Sequence, residues 1–240
     1  MKKTFIYTMI LLQAGLFLTS CSEHGVFFPS DDIETTTFDI TNFDELEIED
    51  NFKVFVSFGP VEQVEIRCNS NIVRHLGVRR DGRELELKLK PGVAVWGRDI
   101  LEAHITMKSL RAADLSGNSL LELNDVLENN KLELDVSGNS RLLGEVALDV
   151  LKLDASGNSK IEINGAAREI DVDLSGNSKM EDFQLESEIF HGDFSGNSKC
   201  DITITGEIYI EASGNSRLNY KGDAIIKYQE LSGLSKVVRH

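Results

Sequence analysis

An acidic side chain returns every nineteen or so residues along this chain, always two positions before a Ser-Gly-Asn-Ser tetrapeptide or its degenerate copy. The acids are Asp114, Asp135, Asp154, Asp173, Asp193, Glu211 and Glu230. The tetrapeptide starts at Ser116, Ser137, Ser156, Ser175, Ser195 and Ser213, with an SGLS variant at Ser232. A base follows the motif in six of seven copies: Arg141, Lys160, Lys179, Lys199, Arg217 and Lys236, with Leu120 the exception. Such side chains could act as general acids or bases, ligate a hard cation, or hydrogen-bond a hydroxylated ligand.

Catalysis is the weakest of these readings. Glycoside chemistry needs one pair of carboxylates set apart from all others, or acidic metal ligands beside a basic residue. Here the same carboxylate recurs in every copy. The histidines, His24, His75, His104, His191 and His240, occupy unrelated positions. Ser-Gly-Asn-Ser is not a nucleophile elbow and has no recognisable His or Asp partner. Calcium could bridge the Asp, Asn and Ser positions, but the period differs from the nine-residue calcium repeat. The sequence therefore points to no enzyme and no cofactor, with a polysaccharide-active enzyme as the alternative. A binding surface would comprise Asp135, Asp154, Asp173, Asp193, Asn139, Asn158, Asn177, Asn197, Lys160, Lys179 and Lys199. Trp96, the single tryptophan, is a separate candidate for carbohydrate contact.

The elements that position these residues follow from the period. Successive motifs start 21, 19, 19, 20, 18 and 19 residues apart. That is too short for a domain and shows no helical spacing inside, which marks a β-solenoid. Apolar residues alternate upstream of the motif, as in Leu132-Leu134-Val136 and Ile170-Val172-Leu174, so one face of each strand is buried. Gly and Asn tolerate left-handed backbone and suit a sharp corner. Each unit reads as strand, corner at Gly-Asn, strand, then a variable return loop. Coils stacked about 4.8 Å apart would turn each column into a ladder of like side chains. Neighbouring acids then repel by about 1 kcal/mol in water, which the base column could offset if the corner brings the two together.

The two ends read differently. Lys2 and Lys3, the apolar run to Leu18 and the sequence Leu18-Thr19-Ser20-Cys21 fit a lipoprotein leader, with residues 1–20 removed and Cys21 lipidated. Residues 21–36 read as a tether. Between 37 and 110 the motif is absent but strand patterning persists, as a small sheet or irregular coils covering the first rung. Residues 111–240 form the solenoid. Its last copy lacks the inward apolar pair and the ladder Asn, as suits a cap or a rung that stacks on a second subunit. Cys68 and Cys200 sit in apolar phase and read as core residues. The formal charge of −15, made more negative by loss of Lys2 and Lys3, argues against nucleic acid and against adhesion to anionic lipid through the protein surface.

The opening FDELEIEDNFKVFVSFG, then VEIRCNSNIVRHLGVRRDGRELELKLK, then the repeated DxSGNSK units resemble the putative auto-transporter adhesin, head GIN domain family. Its members are lipoproteins and secreted proteins common in Bacteroidetes. The resemblance spans about Thr37 to His240. It implies a right-handed parallel β-helix, of about 19–20 residues per coil, behind a β-rich N-terminal portion, and brings no catalytic residues. The function expected is a non-enzymatic binding, adhesion or structural module at the outer membrane or cell surface. A lipid anchor would be its membrane contact and a glycan or matrix polymer its partner.

Overall fold

The computed structural model describes residues 25–240, so the expected leader and Cys21 lie outside the described residues. Among them are nineteen strands, one three-residue 3-10 turn (Val73–His75) and no helix long and apolar enough to cross a membrane. The N-terminal strands are β1 (Gly25–Phe27), β2 (Ile33–Phe38), β3 (Glu45–Ile48), β4 (Lys53–Phe58), β5 (Gln63–Asn69), β6 (Leu76–Asp81), β7 (Glu84–Leu89), β8 (Val93–Val95) and β9 (Leu101–Met107). The repeats supply β10 (Ala112–Leu115), β11 (Leu120–Leu123), β12 (Leu127–Val136), β13 (Arg141–Ala155), β14 (Lys160–Leu174), β15 (Lys179–Phe194) and β16 (Lys199–Ala212). The chain closes with β17 (Arg217–Lys221), β18 (Ile225–Leu231) and β19 (Lys236–Arg239).

The repeats stack in parallel, like on like, as a β-solenoid of about seven turns. Leu134 pairs with Leu153 and Leu153 with Val172, while Arg141, Lys160 and Lys179 form one column. Their inward partners Leu142, Ile161, Met180, Cys200 and Leu218 are buried. Each such side chain contributes roughly 1.5–3 kcal/mol, enough over many rungs to need no disulfide. Cys68 and Cys200 are indeed free, buried thiols, and burial pushes the Cys68 thiol up to about 11.

The return segment is strand, not loop. β13, β14 and β15 run unbroken for 15 or 16 residues from one corner to the next. The buried phase switches near Asp149–Val150 and near Arg168–Glu169, where each strand bends. Differences in repeat length are absorbed nearer the start of the strands by bulges, between Ile161 and Gly165 and between Glu181 and Ile189.

The parallel stack begins before the first Ser-Gly-Asn-Ser. β3 and β4 form a full rung beneath β10 and β11, turning at Asp50-Asn51. β7 and β9 lie parallel beneath that rung, and then the direction reverses. β6 runs antiparallel to β7, β5 to β9, and β2 to β5. Ile33–Phe38, whose first four residues fall in the stretch read as a tether, is therefore sheet, because pairing with β5 satisfies its backbone. β1 likewise pairs with β8 in a separate two-stranded ribbon.

The corner sets the tightest tolerance. At Gly157 φ is +75°, and a Cβ would lie 2.5 Å from the carbonyl oxygen of Gly138 on the coil beneath. Gly82, in the β6–β7 hairpin, has φ +58° but open space around it. Gly157→Ala should therefore cost about 2–4 kcal/mol by denaturant titration, through left-handed strain and coil separation together. Gly82→Ala should cost only about 1 kcal/mol, and equal losses would contradict stacked corners.

Candidate ladder surface

The acid column is longer than the repeats show. Paired register runs Glu86, Glu47, Asp114, Asp135, Asp154, Asp173, Asp193, Glu211 and Glu230, one acid per strand. Strand alternation puts Asp114, Asp135, Asp154, Asp173 and Glu211 on the outer face, each between two buried neighbours such as Leu153 and Ala155, whereas Glu86 at the foot is itself buried. Asp114, Asp135, Asp154, Asp173 and Asp193 are all exposed. They line two shallow, open depressions of about 420 and 400 Å³, the upper one edged by Ser156, Ser175 and Ser195.

At the foot of the column the charge is neutralised. Lys88 Nζ lies 3.0 Å from both Glu47 and Glu86, and 3.2 Å from Glu49, while Arg79 pairs with Glu86. The Arg79 guanidinium holds the Glu86 carboxyl below its usual range, against partial desolvation and with help from Lys88. Glu47, Glu84 and Glu86 stand close enough to share a cation, but Lys88 already serves two of them.

From Asp114 to Asp193 no ion pair among the described residues reaches the column. Three of the bases after the corner pair instead with other acids, on their own strand or a neighbouring one. Lys160 bonds Glu162 at 2.9 Å and approaches Glu181 at 3.8 Å; Lys199 bonds Asp201 at 2.6 Å and approaches Glu181 at 3.6 Å; Arg141 bonds Glu162. The expected offset between base and acid columns is thus overturned, because the corner places them on successive strands with nearer partners for the bases. Lys152 is the one base edging the lower depression, and it leans 3.9 Å from Asp171.

Three of these carboxyls are held above their ordinary range. Partial desolvation pushes the Asp173 carboxyl up to about 6, with the Asp154 charge, a hydrogen bond shared with Asp154, and Asp193 adding to it. Asp135 is raised by desolvation and by Asp154, and Asp114 by desolvation, Asp135 and Glu47.

Asparagine lines the corner edge. Nδ2 of Asn139 donates to Oδ1 of Asn118 at 3.0 Å, and Asn158 and Asn177 continue at the same distance, with Asn197 at 3.2 Å. The ladder extends down through Asn118 to Asn51, whose amide reaches Asp99. Each amide is exposed yet already engaged above and below. The closing serines turn inward: Ser159, Ser178 and Ser198 are buried and donate to the carbonyls of Ser156, Ser175 and Ser195. Of the three columns named from sequence, only the acid column keeps acceptors unused.

Asn51 and Glu47 escaped the repeat search. Glu47-Ile48-Glu49-Asp50-Asn51-Phe52-Lys53-Val54 matches acid, apolar, corner, base and apolar in order, but Asp50 stands for glycine and Phe52 for the inward serine. Asp50 adopts φ +63°. It escapes the clash because the rung beneath has no corner there; its carboxylate accepts the Leu89 N–H at 2.7 Å instead. Trp96 stands away from the columns, in the segment joining β8 to β9, and is exposed.

A protein-family profile described as putative auto-transporter adhesin, head GIN domain, matches residues 42–224. The chain belongs to this family. Three solved structures share the fold at low identity. A "putative adhesin" from Bacteroides fragilis is 16% identical, covering 89% of this chain and 97% of its own, with a TM-score of 0.79. Another, from Parabacteroides merdae, is 19% identical over 90% and 99%, with a TM-score of 0.74. A "putative lipid binding protein" from Parabacteroides distasonis is 14% identical over 90% and 100%, with a TM-score of 0.73. No curated protein matches the chain.

The protonation pattern fixes a pH dependence. Asp173 in the unfolded chain titrates near 3.9, so between roughly pH 4 and 6 the folded chain holds more protons than the unfolded one. Stability then falls as pH rises through that window. Carboxylates held low, such as Glu86, lose their contribution only below it. Melting temperature should be higher at pH 5 than at pH 7.5, and Asp154→Asn/Asp173→Asn should raise the pH 7.5 value by about 2–4 °C while flattening the dependence. A double variant that melts lower at pH 7.5 would contradict the repulsive ladder.

Proposed function

We propose that this protein is a non-enzymatic, adhesion-type binding module of the cell envelope. It is anchored outside the cytoplasm by a lipid on Cys21, in the outer membrane or at the cell surface, and grips a repetitive polymer along its acid ladder. The observation that carries the proposal is the run from Asp114 to Asp193: exposed carboxylates in register, without counter-ions, along a shallow groove. Such a row presents hydrogen-bond acceptors at the coil spacing of about 4.8 Å. A glycan or matrix polymer bearing hydroxyls or amines can engage several rungs at once, so weak contacts sum. The asparagine and lysine columns, with Asn139, Asn158, Asn177, Lys160, Lys179 and Lys199 among them, then serve as supporting structure at and beyond the corner. The family and the adhesin names of its structural neighbours agree with a role of this kind.

The alternative, a polysaccharide-active enzyme, draws on one feature, the raised carboxyl of Asp173 beside Asp154. Nothing distinguishes that pair chemically from its neighbours, since adjacent rungs carry the same acid in the same register. Catalysis requires the two carboxyls to take different roles.

Binding of the soluble chain to a panel of glycans and matrix polymers tests the proposal. The expected result is saturable binding that weakens from pH 7 to pH 5 and drops at least tenfold in Asp135→Asn/Asp154→Asn/Asp173→Asn/Asp193→Asn. Retained binding in that variant would remove the ladder as the site. Product release from any glycan would favour the enzyme.

The far end supports a further partner, a second copy of the chain. β18 and β19 are paired on one side only, and Ile225 and Leu234 are exposed beside these open edges. Open edges of this sort pair with other strands unless something covers them. Sedimentation should show self-association at micromolar concentration, lost in Ile225→Asp/Leu234→Asp. A monomer at all concentrations would exclude it.

A further inference from the structure

The β1–β8 ribbon stands apart from the 17-stranded sheet, at the cap end of the stack. Its two faces differ. Phe27, Val93 and Val95 pack toward the core, and the Phe27 ring lies 4.1 Å from that of buried His75. The other face carries Val26 opposite Ala94, then Phe28 beside Trp96, whose N–H bonds the Phe27 carbonyl at 2.9 Å. Val26 is 61% exposed, and Phe28 and Trp96 are each 70% exposed. Scattered apolar residues on a surface need no explanation, but here four neighbours, two of them aromatic, share one small face.

What lies beyond the ribbon identifies its occupant. β1 begins at Gly25, four positions after Cys21. Four residues of extended chain span at most about 14 Å. A lipid on Cys21 would therefore hold this face against the bilayer surface. Tryptophan and phenylalanine favour the membrane–water interface, where an apolar body meets the acyl boundary and a polar edge meets the headgroups. Exposed Arg74, Lys90 and Arg98 flank the ribbon, against Asp31 and Asp32, so this end lacks the unbroken acid row of the coils. Lys90 follows β7 and its Nζ holds the Arg74 carbonyl at 2.7 Å, which keeps both bases beside the ribbon.

We propose that the Val26–Phe28–Ala94–Trp96 face docks on the lipid surface. The anchor and the patch then grip the membrane at two points, and the cap becomes the foot of the solenoid. β18 and β19, at the other end of the stack, face away from the bilayer. The inference rests on the anchored-lipoprotein reading for the proximity of patch and membrane, and it reassigns Trp96 from carbohydrate to lipid.

Trp96 is the only tryptophan, so its emission reports the patch alone. The full lipoprotein is reconstituted into phosphatidylethanolamine–phosphatidylglycerol vesicles, with and without brominated acyl chains. The expected result is emission shifted to shorter wavelength and quenched by the brominated lipid. Both effects should be lost in Val26→Asp/Phe28→Asp, whose β-sheet circular dichroism is unchanged. Water-like, unquenched emission in the lipidated protein would overturn the proposal. So would an emission change with soluble glycan but none with vesicles, which would return Trp96 to carbohydrate. The mass of the N-terminal peptide is read in the same sample. Absence of acyl groups on Cys21 would sink the anchor reading, while the patch remains testable by adding vesicles at high lipid concentration to the non-lipidated chain.

Discussion

Backbone lies on backbone at one corner of every coil, with no room for a side chain between. A Cβ on the corner glycines would come within 2.4–2.7 Å of the carbonyl beneath, from Gly117 up to Gly233. In each copy the next residue's N–H bonds that same carbonyl, as Asn158 does to Gly138 at 2.7 Å. Once the corners are locked, strand alternation assigns every other position. The residue before the motif goes inward, the acid outward, the asparagine to the edge and the last serine under it.

This strict register makes the acid column unavoidable and also explains its cost. A solenoid that repeats one sequence repeats its charges, and here every rung carries an acid at that position. The chain neutralises the foot with Lys88 and Arg79 and gives the bases after the corner their own acidic partners. Between Asp114 and Asp193 it leaves the repulsion in place, and desolvation with the neighbouring Asp154 pushes the Asp173 carboxyl up to about 6. The column that carries this repulsion is also the one that faces the open groove.

The parts legible in the sequence were those that recur. Seven copies of one motif revealed the corner, the buried columns and the outward acids, since each depends only on position within a coil. Features that occur once were harder to read. The rung at Asp50-Asn51 hid behind two substitutions that its place at the bottom of the stack permits. Its coil is also separated from the next by the antiparallel strands inserted between β4 and β10. The return segments looked like loops because bulges blur their alternation. The partners of Lys160 and Lys199 lie two residues along the same strand and that of Arg141 on the next strand, and the acids across the corner look equally close on paper. Trp96 could not be placed, because its exposure depends on the β1–β8 pairing, which no local pattern announces.

Removal of one whole coil tests most directly whether the units are interchangeable turns around one axis. Deleting residues 142–160 joins Arg141 to Ile161 and preserves every column. The shortened chain should keep its β-sheet circular dichroism and a cooperative melt, whereas deleting 142–151, half a turn, should abolish both. A full-coil deletion that fails to fold, or a half-coil deletion that folds as well, would contradict the stacked-corner architecture.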